Sequence, residues 1–243
     1  MNSIKGLSND RLKIIAVVTM LTDHIGAYLF PNVMLFRMIG RISFPIFAFM
    51  IAEGCRYTKN KKRYLLNMAV LSLVTYLLFY SVSSPKFLRI PFTFTLSVIM
   101  IFVLGKTFAV FRGDCGMAKK CLYAFVALTA VILIWKLDRI FIIDYGFYGI
   151  MTPVLVSVVS WINNIPQRDN NADVVKSRII MLATALWFVY SRYGGVQIYS
   201  FFAIPLLALY NGRRENILPK YFFYIFYPLH LAVIFAVKYL ILT

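Results

Sequence analysis

Apolar runs of roughly twenty residues alternate along the 243-residue chain with short breaks rich in charge, Pro, Asn or Gly. A hydrocarbon core about 30 Å thick is crossed by about 20 helical residues rising 1.5 Å each. The pattern therefore predicts nine spans, near 12–30, 34–55, 64–82, 91–111, 119–136, 145–163, 177–192, 195–210 and 219–242. The seventh and eighth are short for a crossing. Asp23 and His24 interrupt the first run, and no small-residue cleavage site follows it, so it reads as a retained helix rather than a removable signal. No repeat of fixed period is visible, and the longest polar stretch, 163–176, reads as a loop. The expectation is an all-α, polytopic integral membrane protein with one transmembrane domain covering residues 1–243.

Composition agrees: 61% of residues are hydrophobic and 14% charged, with mean hydropathy +0.76, against about 45–50% and about 25% for soluble domains. A soluble enzyme and a disordered chain are both excluded. The formal charge of +17 would suggest nucleic acid in a soluble protein, but here it encodes orientation, because Lys and Arg resist translocation. With the N-terminus cytoplasmic, 17 of the 26 Lys and Arg fall in inside segments, 6 outside, and Arg37, Arg41 and Lys106 within spans. Cys55, Cys115 and Cys121 then lie near cytoplasmic ends, and their spacing fits no zinc pattern. No metal and no nucleic acid are expected, and the expected location is the inner, or cytoplasmic, membrane.

Candidate chemistry lies in the ionisable residues within spans. A charge at mid-membrane costs something like 2.5–3.5 kcal/mol on insertion scales, so it persists mainly when paired or lining a polar cavity. The candidates are Asp23 and His24 in the first run, Arg37 and Arg41 in the second, Glu53 at its inner end, and His230 in the last. At 1.5 Å per residue His24, Arg41 and His230 reach similar depths, while Glu53 and Arg56 belong to a separate cytoplasmic layer. Arg37 and Arg41, four apart, share a helix face. Structural roles compete: Asp23 can simply tie Arg41 to the first helix, Arg37 can snorkel to headgroups, and His230 can pack beside Pro228. The basic run 56–63 can touch anionic lipid or a donor's phosphates.

The strings LKIIAVVTMLTDHIG at 12–26, RMIGRISFPIFAFMIAEGCRYTKN at 37–60 and the closing YFFYIFYPLHLAVIF resemble the TraX family of membrane proteins. That resemblance implies a link to conjugation and to N-terminal acetylation of pilin subunits, with an acyl-CoA donor and a peptide amine acceptor. The same blocks are similar to the wider acyltransferase family 3, which acylates extracytoplasmic sugars. His24 matches its first-helix histidine, Arg41 the basic residue before its P-x-F-F stretch, and His230 its terminal-helix histidine. Lys13 stands where that family usually has Arg, and about ten core helices are usual there.

Acyl transfer needs a base for the acceptor's proton, positive groups for the developing oxyanion, and exclusion of water. These residues suggest His24 as base or transient acyl carrier, Asp23 as the carboxylate that orients its ring, and Arg41 as oxyanion or donor contact. Arg37, Glu53, Arg56 and His230 are the further substrate- or donor-binding candidates. Acetyl-CoA or another acyl-CoA is the expected co-substrate. The other expected partners are the lipid bilayer and a peptide or glycan acceptor; neither the acceptor, the acyl chain nor the oligomeric state is legible. The rival reading is a non-enzymatic transporter or membrane assembly factor.

Overall fold

The computed structural model describes residues 6–80, 86–163, 172–219 and 221–242. Each of the nine apolar runs is helical. In order they are α1 (Asn9–Tyr28), α2 (Met34–Gly40) with α3 (Ser43–Tyr57), α4 (Lys61–Phe79), α5 (Ile90–Arg112), α6 (Met117–Ile140) and α7 (Gly146–Ile162). Then come α8 (Ala172–Tyr193), a 3₁₀ helix (Gly195–Phe202) continued by α9 (Ala203–Ala208), and α10 (Phe222–Leu242). Among the described residues six stretches are long and apolar enough to cross a membrane, whereas Gly146–Ile162 and Gly195–Ala208 are shorter. The molecule is an all-α, multi-pass membrane protein.

Local differences from the sequence reading have physical causes. The second run breaks at Arg41 and Ile42, beside Gly40, so that Arg37 lies within α2 and Arg41 at the break. The 163–176 stretch is only partly loop: residues 164–171 lie outside the described residues, and α8 already includes Lys176 and Arg178. Lys5, Arg168 and Lys220 of the charge tally also lie outside the described residues. Two parallel strands of two residues, β1 (Phe87–Leu88) and β2 (Ile142–Ile143), were not foreseen, being too short for any periodic signal.

The chain forms two compact units, one from Met1–Met50 with Asn170–Thr243 and one from Ile51–Asp169. In the second, α5 packs against α4, α6 and α7. Its buried face carries Thr93, Thr95 and Ser97, small polar residues that let helices approach and hydrogen-bond across the interface. The Thr95 and Ser72 hydroxyls are 2.8 Å apart, and Ser97 donates to the Ile150 carbonyl at 2.8 Å. Asp144 accepts from the Ile90 amide at 3.2 Å, tying the start of α5 to the β2 turn. The outward faces are apolar: Leu66, Leu77, Phe125 and Leu128 are all at least 60% exposed, a pattern that lipid solvates and water does not.

In the first unit α1 packs against α2 and α10, and the 3₁₀ helix against α2 and α8. Ser8 caps α1, accepting from the Arg11 amide at 3.3 Å. Asp10 accepts from the Ile217 amide at 2.9 Å, and Leu7 pairs with the 209–211 segment through two backbone bonds. These contacts anchor the first turn of α1. Gly26 and Gly40 bring α1 and α2 close: a Cβ on Gly26 would run into Phe36, and one on Gly40 into Asp23.

Candidate functional site

Asp23 and His24 are consecutive on α1, and consecutive helical side chains project about 100° apart. They serve different neighbours. Asp23 points to α2 and its following turn, where Arg37 Nη1 donates to Oδ2 at 2.8 Å and Arg41 Nη2 to Oδ1 at 2.5 Å. Arg37 also donates to the Asp23 carbonyl at 3.2 Å, and Arg41 Nε to the Arg37 carbonyl at 3.4 Å. The Asp23 and Arg41 side chains are 14% and 7% exposed, that of Arg37 30%. Two guanidiniums on one carboxylate leave the cluster one positive charge in excess.

His24 turns instead to α10. Its Nδ1 lies 2.7 Å from His230 Nε2, with the ring planes 17° apart. His230 Nδ1 lies 2.9 Å from the Phe226 carbonyl oxygen. A carbonyl only accepts, so His230 Nδ1 donates; in the neutral pair His230 Nε2 then accepts from His24 Nδ1, and the His24 lone pair is on Nε2. Aromatic rings enclose the pair. Phe226 stacks on His230 with centroids 5.0 Å apart, and Tyr227 meets both imidazoles edge-on. His230 is 6% exposed.

The sequence expectation that Asp23 orients the His24 ring is therefore replaced: the group facing Nδ1 is another imidazole, and the carboxylate is engaged by the arginines. Of the expected meeting of His24, Arg41 and His230, the structure brings His24 and His230 into contact, while Arg41 binds Asp23. The expected tie of Asp23 to Arg41 is realised too, with Arg37 added. Glu53 and Arg56 lie one turn apart on α3, their charged atoms 3.9 Å from each other and both side chains buried. Arg56 is thus part of a helix-internal ion pair, unlike the exposed residues after it in the basic run.

Sequence reasoning missed Phe226 and Tyr227, although their spacing of four and three from His230 on one helix was a usable signal. It also counted Arg178, at the start of the seventh run, among the inside basic residues. The structure buries it completely in α8, with its guanidinium 4.8 Å from the Phe49 ring centroid. Among the described residues no group of three His, Cys, Asp or Glu is gathered as a metal site would require.

Comparison with known proteins follows the same outline. The chain is 30% identical over 146 residues to the uncharacterized protein RP591 of Rickettsia prowazekii (strain Madrid E), an overlap of 60% of this chain and 53% of that protein. It thus spans about half the length of the curated relative it matches. No solved structure matches significantly. The model of the family described as TraX protein matches residues 8–238, and the chain belongs to that family.

Proposed function

From membership of the TraX family we propose that this protein is a membrane-embedded acyltransferase. It moves an acyl group, acetyl in the smallest case, from cytosolic acyl-CoA to an amine or hydroxyl acceptor. A pilin or other peptide N-terminus and an extracytoplasmic glycan are the acceptors of matching chemistry. The observation that carries the reading is the hydrogen-bonded chain from the Phe226 carbonyl through His230 to His24. In the neutral pair it puts the His24 lone pair on Nε2, and it packs the pair against Phe226 and Tyr227. Positioned imidazoles are the commonest general bases, and a partner on the far nitrogen fixes which nitrogen reacts.

In the proposed step the acceptor nitrogen or oxygen attacks the thioester carbonyl while His24 Nε2 takes its proton. The new C–N or C–O bond forms, the C–S bond breaks, and the proton passes from His24 to the departing CoA thiolate. His230 holds the His24 tautomer and shares the charge that His24 gains. Arg41 and Arg37, held by Asp23, supply the excess positive charge for an oxyanion or for an anionic group of the donor. The family's association with pilin acetylation supports a thioester donor, and it supports a location in the cytoplasmic membrane, where that donor is at hand.

The test is CoA release from acyl-CoA, with a peptide amine and a sugar hydroxyl supplied as acceptors, by the full chain in nanodiscs, for wild type, His24→Ala and Arg41→Ala. Release that disappears in His24→Ala is the expected result. A folded wild type that releases no CoA from any donor at millimolar concentration would instead favour transport or assembly.

A further inference from the structure

Where α4 ends and α5 begins, a cleft of about 320 Å³ counted to its mouth opens beside β1. Its closed part admits no more than a water-sized group. Thr75, from the last turns of α4, and Arg89, just before the first turn of α5, both line it. A hydroxyl inside a helix can donate to the carbonyl four residues back, as Ser72 on α4 and Thr95 and Ser97 on α5 do at 2.9 Å. Thr75 does not. It is 1% exposed, and its Oγ1 has no partner among the described residues. A buried hydroxyl left unpaired is costly, so this one points to a polar atom that the cleft takes in.

Arg89 says which kind. Its guanidinium lies 5.0 Å from the Phe79 ring centroid and 5.4 Å from that of Phe87. The two rings fix its position, and its N–H donors lie in the guanidinium plane, a fork that matches an oxyanion. Among the described residues no carboxylate lines the cleft; that of Asp144, beside the start of α5, already accepts from the Ile90 amide at 3.2 Å. The first turn of the 23-residue α5 lines the cleft as well, and the positive end of its dipole adds to the attraction for an anion.

Depth selects among oxyanions. The 19 residues of α4 span about 28 Å at 1.5 Å each and begin within the basic run 56–63. The Thr75 end therefore reaches the opposite headgroup level of a hydrocarbon core about 30 Å thick. Tyr76 and Tyr80, with ring centroids 5.7 Å apart, stand there as aromatic residues do at a membrane interface. The oxyanion that fills that level is the phosphate of a glycerophospholipid. One of its oxygens fits the closed part of the cleft while the rest of the headgroup stays at the mouth.

We infer that this cleft binds the phosphate of a membrane phospholipid, one phosphate oxygen accepting from the Thr75 hydroxyl and another from the Arg89 guanidinium. With the N-terminus inside, the lipid belongs to the leaflet away from the cytoplasm. The site is the same whatever reaction the histidine pair serves.

The experiment measures lipid binding to the full chain in a maltoside detergent by native mass spectrometry. The ligands are dioleoyl-phosphatidylglycerol, dioleoylglycerol, which lacks the phosphate, and inorganic phosphate. Wild type is expected to hold one phosphatidylglycerol more tightly than any dioleoylglycerol. Arg89→Gln should raise the Kd at least about tenfold, as loss of a charged hydrogen bond does, and Thr75→Val about two- to tenfold. Thr75→Val keeps shape and charge, so it tests the site even where Arg89→Gln fails to fold. Lys136→Gln, which removes an exposed cation of α6, should leave the Kd unchanged. Equal binding of dioleoylglycerol, an unchanged Kd in Thr75→Val or in folded Arg89→Gln, or a loss in Lys136→Gln as large as that in Arg89→Gln each overturns the inference. Binding of inorganic phosphate without the lipid overturns the lipid as its occupant.

Discussion

At the scale of single residues, the two halves of the candidate site fail differently when cut. His24→Ala is expected to reduce transfer to background, and His230→Ala to slow it by about 10²–10⁴-fold, the range typical of a positioned acid–base group. Neither should lower expression of folded protein. CoA-release rates with a thermal-unfolding control check this, and a His230→Ala enzyme at wild-type rate would remove the relay. Asp23→Asn belongs to stability instead. It strips two arginines, one of them 7% exposed, of their counter-charge, and a buried ionic group left uncompensated costs about 3–5 kcal/mol. The midpoint of thermal unfolding should therefore fall well below that of His24→Ala, and equal midpoints would contradict the geometry. Sequence reading found these residues because in-membrane charge is rare. It paired Asp23 with Arg41 as the structure does, but it also gave Asp23 to His24, because adjacency along the chain is not adjacency around a helix.

At the scale of elements, close approach of α1 and α2 decides where the Arg37–Asp23–Arg41 cluster forms. Gly40→Ala would drive a methyl into the Asp23 side chain, and Gly26→Ala into Phe36. Overpacking of this kind costs about 1–3 kcal/mol. By contrast, a Cβ on Gly116 meets nothing within 4 Å. Thermal midpoints in one detergent should fall for Gly26→Ala and Gly40→Ala and hold for Gly116→Ala; a uniform response would show that these glycines do not set the helix spacing. The helices themselves were legible, since each of the nine apolar runs is helical among the described residues, the second as two helices. Two features were not. The break at Arg41 and Ile42 falls inside one unbroken hydropathic run, and the eight-residue 3₁₀ stretch Gly195–Phe202 carries no sequence period that separates it from an α-helix. Both are set by packing rather than by residue type.

At the scale of the whole molecule, membrane orientation can be argued within the Ile51–Asp169 unit. Pairing of β1 with β2 joins the α4–α5 and α6–α7 connections at one end. Arg112, donating to the Ile162 carbonyl at 2.6 Å, joins the finish of α5 to the finish of α7 at the other. Basic residues divide unequally between these ends. Arg56, Lys59, Lys61, Lys62, Arg63, Arg112, Lys119 and Lys120 belong to the Arg112 end, and Lys86, Arg89, Lys136 and Arg139 to the strand end. Charge flanking a span sets its direction, so the Arg112 end is expected to face the cytoplasm, as the N-terminus-inside reading requires. In a Cys55→Ser, Cys121→Ser background, Cys115, in the connection between α5 and α6, should react with a membrane-impermeant maleimide only after the cells are opened. With Cys115 also replaced, a cysteine at Ile142, 58% exposed in β2, should react in intact spheroplasts. The reverse pattern would turn the molecule over. The basic run Arg56–Arg63 would then face away from the cytoplasm, against the bias that the resistance of Lys and Arg to translocation imposes.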